Sequence, residues 1–165
     1  MNKKDFIGKV FITNSFGETQ TLGYDFGKVL AKGDIICLYG DLGSGKTTFV
    51  QGLAKGLGVK GKIISPTFII IKNYESRILT PPRLRGPGKN QELKTINFYH
   101  IDLYRTQSHN DIRELGLEEI LNDPENIIAI EWAENLGNLM PEKRIDIELS
   151  YEKDEVRKIS FSLTT

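Results

Sequence analysis

At the start of the chain, a run of apolar residues with the spacing of a strand is followed by apolar residues with the spacing of a helix. Residues 9–13 form a short extended run, and Ser15 followed by Glu18 three residues later matches a capping box, which marks the start of a helix. Four apolar residues fall on one face of that helix: Leu22, Phe26, Val29 and Leu30. The pattern predicts a strand and then a helix that ends near Gly33.

The next segment predicts a buried strand, a turn and a second helix. The short run 34–39 is apolar and leads into a glycine-rich stretch. Phe49, Leu53 and Leu57 then recur at intervals of four residues until Gly58, a residue typical of helix ends.

The rest of the chain predicts more strands and a terminal hairpin. Residues 68–72, 95–103 and 127–130 are strand candidates, and helices are expected on either side of the last of them. Six apolar residues alternate with polar ones across a charged turn: Ile145, Ile147, Leu149, Ile159, Phe161 and Leu163. We expect one three-layer α/β domain over residues 1–165, with a mainly parallel or mixed central sheet and a C-terminal antiparallel hairpin.

Composition excludes several classes of protein. The 165 residues carry 22 basic and 22 acidic side chains, so a whole-chain basic field for nucleic acid is missing. No apolar run approaches the roughly 18 residues of a membrane span, and no secretory signal is recognisable, so we expect a cytoplasmic protein with no membrane contact. The single cysteine, Cys37, excludes an internal disulfide and lies in the predicted buried strand.

Residues 75–94 do not fit the compact pattern. Their prolines and glycines predict a mobile loop, and their net charge is +3, whereas residues 111–134 carry a net −7. Opposed patches of this kind favour charged partners, but two solvated faces explain them equally well.

Residues Gly40–Thr47 match the phosphate-loop pattern G-x-x-x-x-G-K-[ST] between the predicted strand and the predicted helix. Backbone N–H groups of such a loop point at a phosphate, and the helix N-terminus adds a favourable dipole. Lys46 would contact the β and γ phosphates, and the Thr47 hydroxyl would ligate Mg²⁺. The sequence therefore predicts a nucleotide site.

Two carboxylates follow predicted strands and are candidates for catalysis. Asp102 and Glu131 would lie beyond the carboxyl ends of their strands, where ligands of α/β sheets bind, and either could anchor the metal or orient water. A helix cap or a surface ion pair is the alternative. His100 could support this site or simply pack in the sheet, and Thr67 could sense the γ-phosphate or simply begin a strand.

Four motifs in this order resemble the TsaE (YjeE) family of bacterial P-loop ATPases. The motifs are Gly40–Thr48, Ser65–Phe68, His100–Arg105 and Ile130–Glu134. The resemblance implies an ATPase that uses Mg²⁺, works with the TsaD and TsaB proteins, and takes part in making threonylcarbamoyladenosine on tRNAs that read codons beginning with A. Contact with tRNA would be indirect, through the partner complex.

The same resemblance assigns individual residues. Thr47 and Glu131 would be magnesium ligands, Asp102 would be the essential strand-end acid, and Trp132 would lie near the nucleotide. The polar start of the first helix, Ser15 and Thr19, would lie near the adenine. The matching nucleotide-binding loop comprises Asp41, Leu42, Gly43, Ser44, Gly45, Lys46, Thr47 and Thr48. The long basic segment 75–94 departs from the family.

A small-molecule kinase is the alternative from another class of function. Such enzymes also contain a phosphate loop and use a mobile lid with arginines, a role that Arg77, Arg83 and Arg85 could take. A non-catalytic nucleotide switch is a third possibility. A GTPase is disfavoured because no N-K-x-D motif follows the loop.

Overall fold

The computed structural model describes residues 1–61, 63, 71–79, 93–106 and 115–165. Over these residues it contains seven strands: β1 (Val10–Thr13), β2 (Ile35–Tyr39), β3 (Ile71–Leu79), β4 (Leu93–Asp102), β5 (Asn126–Glu131), β6 (Arg144–Tyr151) and β7 (Arg157–Thr164). The α-helices of the same residues are α1 (Phe16–Gly27), α2 (Lys46–Gly56) and α3 (Leu117–Asn122). Two 3₁₀ segments cover Lys3–Asp5 and Ala133–Leu139.

The strands form one mixed sheet in the order β1-β7-β6-β2-β5-β4-β3. The four central strands β6, β2, β5 and β4 are parallel, whereas β3, β7 and β1 pair antiparallel at the two edges. The phosphate-loop strand β2 is therefore central, with β5 beside it and β4 one strand further out. This arrangement confirms the predicted α/β fold, its mixed sheet and its C-terminal hairpin.

Two apolar clusters lie on opposite faces of the sheet and make the domain three-layered. One contains residues of α1 and α2, such as Phe26 and Phe49, packed on Phe161 of β7. The other places Leu117 of α3 and Leu136 against the opposite side of the central strands. Strands β2 and β5 contribute residues to both clusters and are thus covered on both faces, as expected for parallel strands with continuous apolar runs.

Helix α1 begins as the sequence predicts but ends earlier. The Ser15 side chain accepts a hydrogen bond from the backbone N–H of Glu18, and the Glu18 carboxylate reaches back to the N–H of Asn14 instead of that of Ser15. The predicted end near Gly33 is wrong, because the N–H groups of Val29 and Leu30 bond to carbonyls three residues back. This tighter turn ends the helix while both side chains still pack on the core.

Helices α1 and α2 are in unusually close contact along two pairs of glycines. A Cβ atom on Gly52 would lie 2.0 Å from the carbonyl oxygen of Gln20, and one on Gly23 would lie 2.2 Å from the carbonyl oxygen of Phe49. Gly27 and Gly56 repeat this geometry one turn further along. Since the obstructing atoms belong to backbone, the close approach of the two helices depends on glycine.

Replacing Gly52 by alanine is therefore expected to destabilise the fold by about 2 kcal/mol, because the added methyl group must push α1 away from α2. For a domain of this size the melting temperature should fall by roughly 4–8 °C. The control is Gly17→Ala, since a Cβ there meets only the Ser15 hydroxyl at 3.9 Å. Thermal unfolding followed by circular dichroism would contradict this packing if both variants melted alike.

The predicted irregular segment 75–94 is wrong at both ends. Glu75–Leu79 belong to β3 and Leu93–Lys94 to β4, and the two strands pair from Ile71↔Ile101 to Leu79↔Leu93. Residues 71–79 contain no proline or glycine, so nothing in them opposes the ladder. Residues 80–92 lie outside the described residues, as do Thr67 and the start of the predicted strand 68–72.

Among the described residues, no helix is both long enough and apolar enough to cross a membrane. The Cys37 thiol is buried in β2, where desolvation raises its pKa to about 12. The thiol is therefore neutral, and it lies in the buried strand that the sequence predicts.

Candidate functional site

The phosphate loop connects the end of β2 to the start of α2. Gly40 adopts a φ of 131°, and a Cβ atom there would lie 2.1 Å from the carbonyl oxygen of Leu149. Gly45 precedes the first helical residue with a φ of 103°. Both positions require glycine, because residues with a Cβ rarely adopt these dihedral angles. The loop thus turns sharply and presents the N-terminus of α2 to the space above the sheet.

Lys46 is held inside this loop by its own backbone. Its Nζ atom donates to the carbonyl oxygens of Gly40 and Asp41, the latter at 2.9 Å, and lies 3.9 Å from the centre of the Trp132 ring. Burial lowers the pKa of the ammonium group, while nearby carboxylates, Glu131 foremost, act in the opposite direction. A partly desolvated cation therefore faces the loop, where an anionic ligand would satisfy it.

The two predicted acids lie side by side at the edge of the sheet next to the phosphate loop. Asp102 is the last residue of β4 and Glu131 the last of β5, and the two are direct partners in the parallel ladder. Glu131 is only 2% exposed, and its Oε2 atom accepts a hydrogen bond of 2.8 Å from the Thr47 hydroxyl. This bond joins the start of α2 to the strand-end acid.

A cavity of about 280 Å³ opens between the loop and these strand ends. Its lining consists of Leu42, Gly43, Gly45, Lys46, Thr47, Thr48, Asp102, Tyr104, Glu131 and Trp132. Trp132 follows Glu131 directly and has a left-handed backbone conformation, with φ at 58°. Such a conformation is costly for a bulky residue, and here it accompanies an indole ring placed over Lys46 and against the ring of Tyr104, 4.9 Å away.

The structure brings together most of the residues that the sequence singled out. Four of the predicted nucleotide-binding residues are absent from the lining of the cavity: Ser15, Thr19, Asp41 and Ser44. Ser15 caps α1, and the Thr19 hydroxyl bonds to the Thr13 hydroxyl at 2.7 Å. Asp41 contributes its backbone carbonyl to Lys46. Thr67 lies outside the described part of the chain.

Sequence reasoning missed two residues beside the loop. Tyr104 lines the cavity, although the motif His100–Arg105 that contains it predicts a role at the site only for Asp102 and His100. Arg157, at the start of β7, donates to the carbonyl oxygen of Gly43 at 3.3 Å and lies over the ring of Tyr151 at 4.7 Å. No local pattern could have revealed Arg157, because 114 residues separate it from Gly43.

The oxygen atoms at this site suit magnesium. Thr47 and Glu131 already face each other, and Asp102 lies beside them. Among the described residues, no group of three or more histidine, cysteine and acidic side chains is arranged to enclose a metal. Magnesium does not need such a group, because it retains several waters and uses one or two protein oxygens together with phosphate.

Comparisons with known proteins place the whole arrangement in one family. A family model described as threonylcarbamoyl adenosine biosynthesis protein TsaE matches residues 13–159. Proteins named tRNA threonylcarbamoyladenosine biosynthesis protein TsaE are similar: the one from Bacillus subtilis is 35% identical over 79% of this chain and 70% of its own length. The one from Treponema pallidum is 32% identical over 90% and 96%, respectively.

A solved structure has a similar fold. The crystal structure of Bacillus subtilis YdiB superposes with a TM-score of 0.71 at 28% identity, covering 95% of this chain and 86% of that one.

Proposed function

Because the chain belongs to the TsaE family, we propose that it binds and hydrolyses ATP with Mg²⁺ as a component of the machinery that forms threonylcarbamoyladenosine on tRNA. The observation that carries this proposal is the 2.8 Å hydrogen bond between Thr47 and Glu131. It joins the residue that ligates magnesium in phosphate loops to an acid at the end of the neighbouring strand, which is the second anchor such sites use.

Each residue of the site has a distinct task in this proposal. Backbone N–H groups of the loop and the positive end of α2 bind the phosphates, and Lys46 neutralises their charge. Thr47 and Glu131 would hold a magnesium ion, which would supply positive charge to neutralise the phosphate oxygens. Asp102 is the ladder partner of Glu131 and lies beside these two residues, where it orients the attacking water. Trp132 and Tyr104 form the apolar wall of the cavity.

In this proposal, ATP hydrolysis drives a conformational change in a partner complex of TsaB and TsaD. Relatives that are 32% and 35% identical to this chain carry names from tRNA threonylcarbamoyladenosine biosynthesis, which supports this pathway. Contact with tRNA is then made through the complex, which fits a chain with no net charge.

The experiment is to measure phosphate release from Mg-ATP by the protein alone, with TsaB and TsaD, and with a mixture of metabolites. We expect slow release by the protein alone and faster release with the partner pair. The matched control is the pair without this protein. Phosphate transfer to a metabolite would instead support a small-molecule kinase and contradict the proposal, as would turnover that the partners leave unchanged.

A further inference from the structure

His100 lies within β4 of the sheet and contacts the Glu131 side chain of the candidate site. It pairs with Ala129 across the β4–β5 ladder, so its side chain is on the same face as Glu131, two residues further along β5. The ring is fully buried, and its Nε2 atom lies 2.8 Å from the Oε1 atom of Glu131.

The Glu131 carboxylate is thereby held at both oxygen atoms. Oε1 contacts His100 of β4, and Oε2 accepts from Thr47 of α2. Two hydrogen bonds from different elements fix the rotation of the carboxylate about its terminal torsion, a rotation that is otherwise broad. The side chain therefore has one orientation before any ligand arrives.

The chemistry of the two groups determines the direction of the bond. An ionised carboxylate only accepts, so the imidazole must donate from Nε2. Within the described residues the other ring nitrogen, Nδ1, is buried without a hydrogen-bond partner. A neutral ring with its proton on Nε2 leaves no unpaired donor, which is the less costly arrangement.

We propose that His100 is a positioning residue, whose Nε2–H group holds the Glu131 carboxylate in the orientation required for magnesium binding. The inference rests on the proposed function, since it assigns to Glu131 the role of magnesium ligand. Groups that orient metal ligands by hydrogen bonding typically change metal affinity 10–100-fold when removed. A ring that served packing alone would need no donor at this position.

The first test examines the hydrogen bond in the intact protein without nucleotide. The chain contains two histidines, so ¹⁵N-labelled imidazole signals are readily assigned. We expect the His100 proton on Nε2, with slow exchange and a downfield shift that disappears in Glu131→Gln, where the acceptor is weaker. A proton on Nδ1, or one unaffected by that substitution, would overturn the inference.

The second test compares two replacements of His100. Each variant is titrated with ADP in a calorimeter, once in the presence of magnesium and once in the presence of a chelator. His100→Leu fills the space without a donor, whereas His100→Gln retains an N–H group at similar reach. For the leucine variant we expect ADP affinity within about twofold of wild type in chelator, but about a tenfold smaller gain from magnesium. The glutamine variant should recover most of that gain.

Equal behaviour of the two variants would overturn the positioning role, as would an equal loss with and without magnesium. If the leucine variant does not fold, the glutamine variant and the imidazole spectrum of the wild-type protein still decide whether His100 holds Glu131. If wild-type protein gains nothing from magnesium, the proposed function fails, and the position of the imidazole proton separately decides whether His100 holds Glu131.

Discussion

Replacing Lys46 by alanine is expected to weaken ATP binding at least about 100-fold, which corresponds to about 2.7 kcal/mol. Lys46 is only 4% exposed and its ammonium group lies at the loop, so its attraction to phosphate is poorly screened. Charge-assisted hydrogen bonds of this kind are among the strongest polar contacts in proteins. Calorimetric titration with Mg-ATP measures the loss directly.

The matched control is Lys55→Ala in the same helix. Lys55 lies in the last turn of α2, and its Nζ atom donates a hydrogen bond of 3.1 Å to the Oε1 atom of Gln20 on the exposed surface. Its removal should change ATP affinity less than twofold, because it is far from the loop. Unchanged affinity in the Lys46 variant would mean that the phosphate site has been assigned to the wrong lysine.

Asp102→Asn should separate hydrolysis from binding. Asparagine has the shape of aspartate and can still accept the hydrogen bond of 3.1 Å that Tyr104 donates through its backbone N–H. Under the proposed function, the variant loses the negative charge that would orient the attacking water and accept its proton. We expect hydrolysis to slow by about 100-fold or more, as for loss of a general base, while ATP affinity stays within about threefold of wild type.

A closely matched control exists elsewhere in the chain. Asp123 accepts from the N–H of Glu125, two residues ahead, at 2.9 Å, just as Asp102 does from Tyr104. It precedes β5, at the opposite end of that strand from Glu131. Asp123→Asn should leave hydrolysis unchanged. Full turnover in the Asp102 variant, measured under single-turnover conditions, would exclude a catalytic role for that residue.

The central part of the site was predictable because its signals are local. The phosphate loop is a contiguous motif, and Asp102 and Glu131 each follow an apolar run that could be recognised as a strand. Parallel strands then bring their carboxyl ends to one edge, so the fold class predicted that both acids lie at the edge that carries the phosphate loop. The structure shows both acids there and adds that they are direct ladder partners, Asp102↔Glu131.

The features that were missed depend on contacts between distant residues. Arg157 reaches the loop only because β7 is paired beside β6, and the end of α1 depends on a change in hydrogen bonding that spacing does not show. The strand character of Glu75–Leu79 was obscured by the prolines that follow it. Tertiary pairing outweighed a compositional signal that begins at Pro81, two residues after the strand ends.

The position of Trp132 has a practical consequence. It is the only tryptophan of the chain, and its indole ring lies 3.9 Å from the Lys46 ammonium group. A cation so near the ring perturbs its excited state, and any ligand that draws Lys46 towards phosphate alters that perturbation. Intrinsic fluorescence therefore originates at the very place where nucleotide is expected to bind, so the native protein carries its own optical reporter and needs no attached dye.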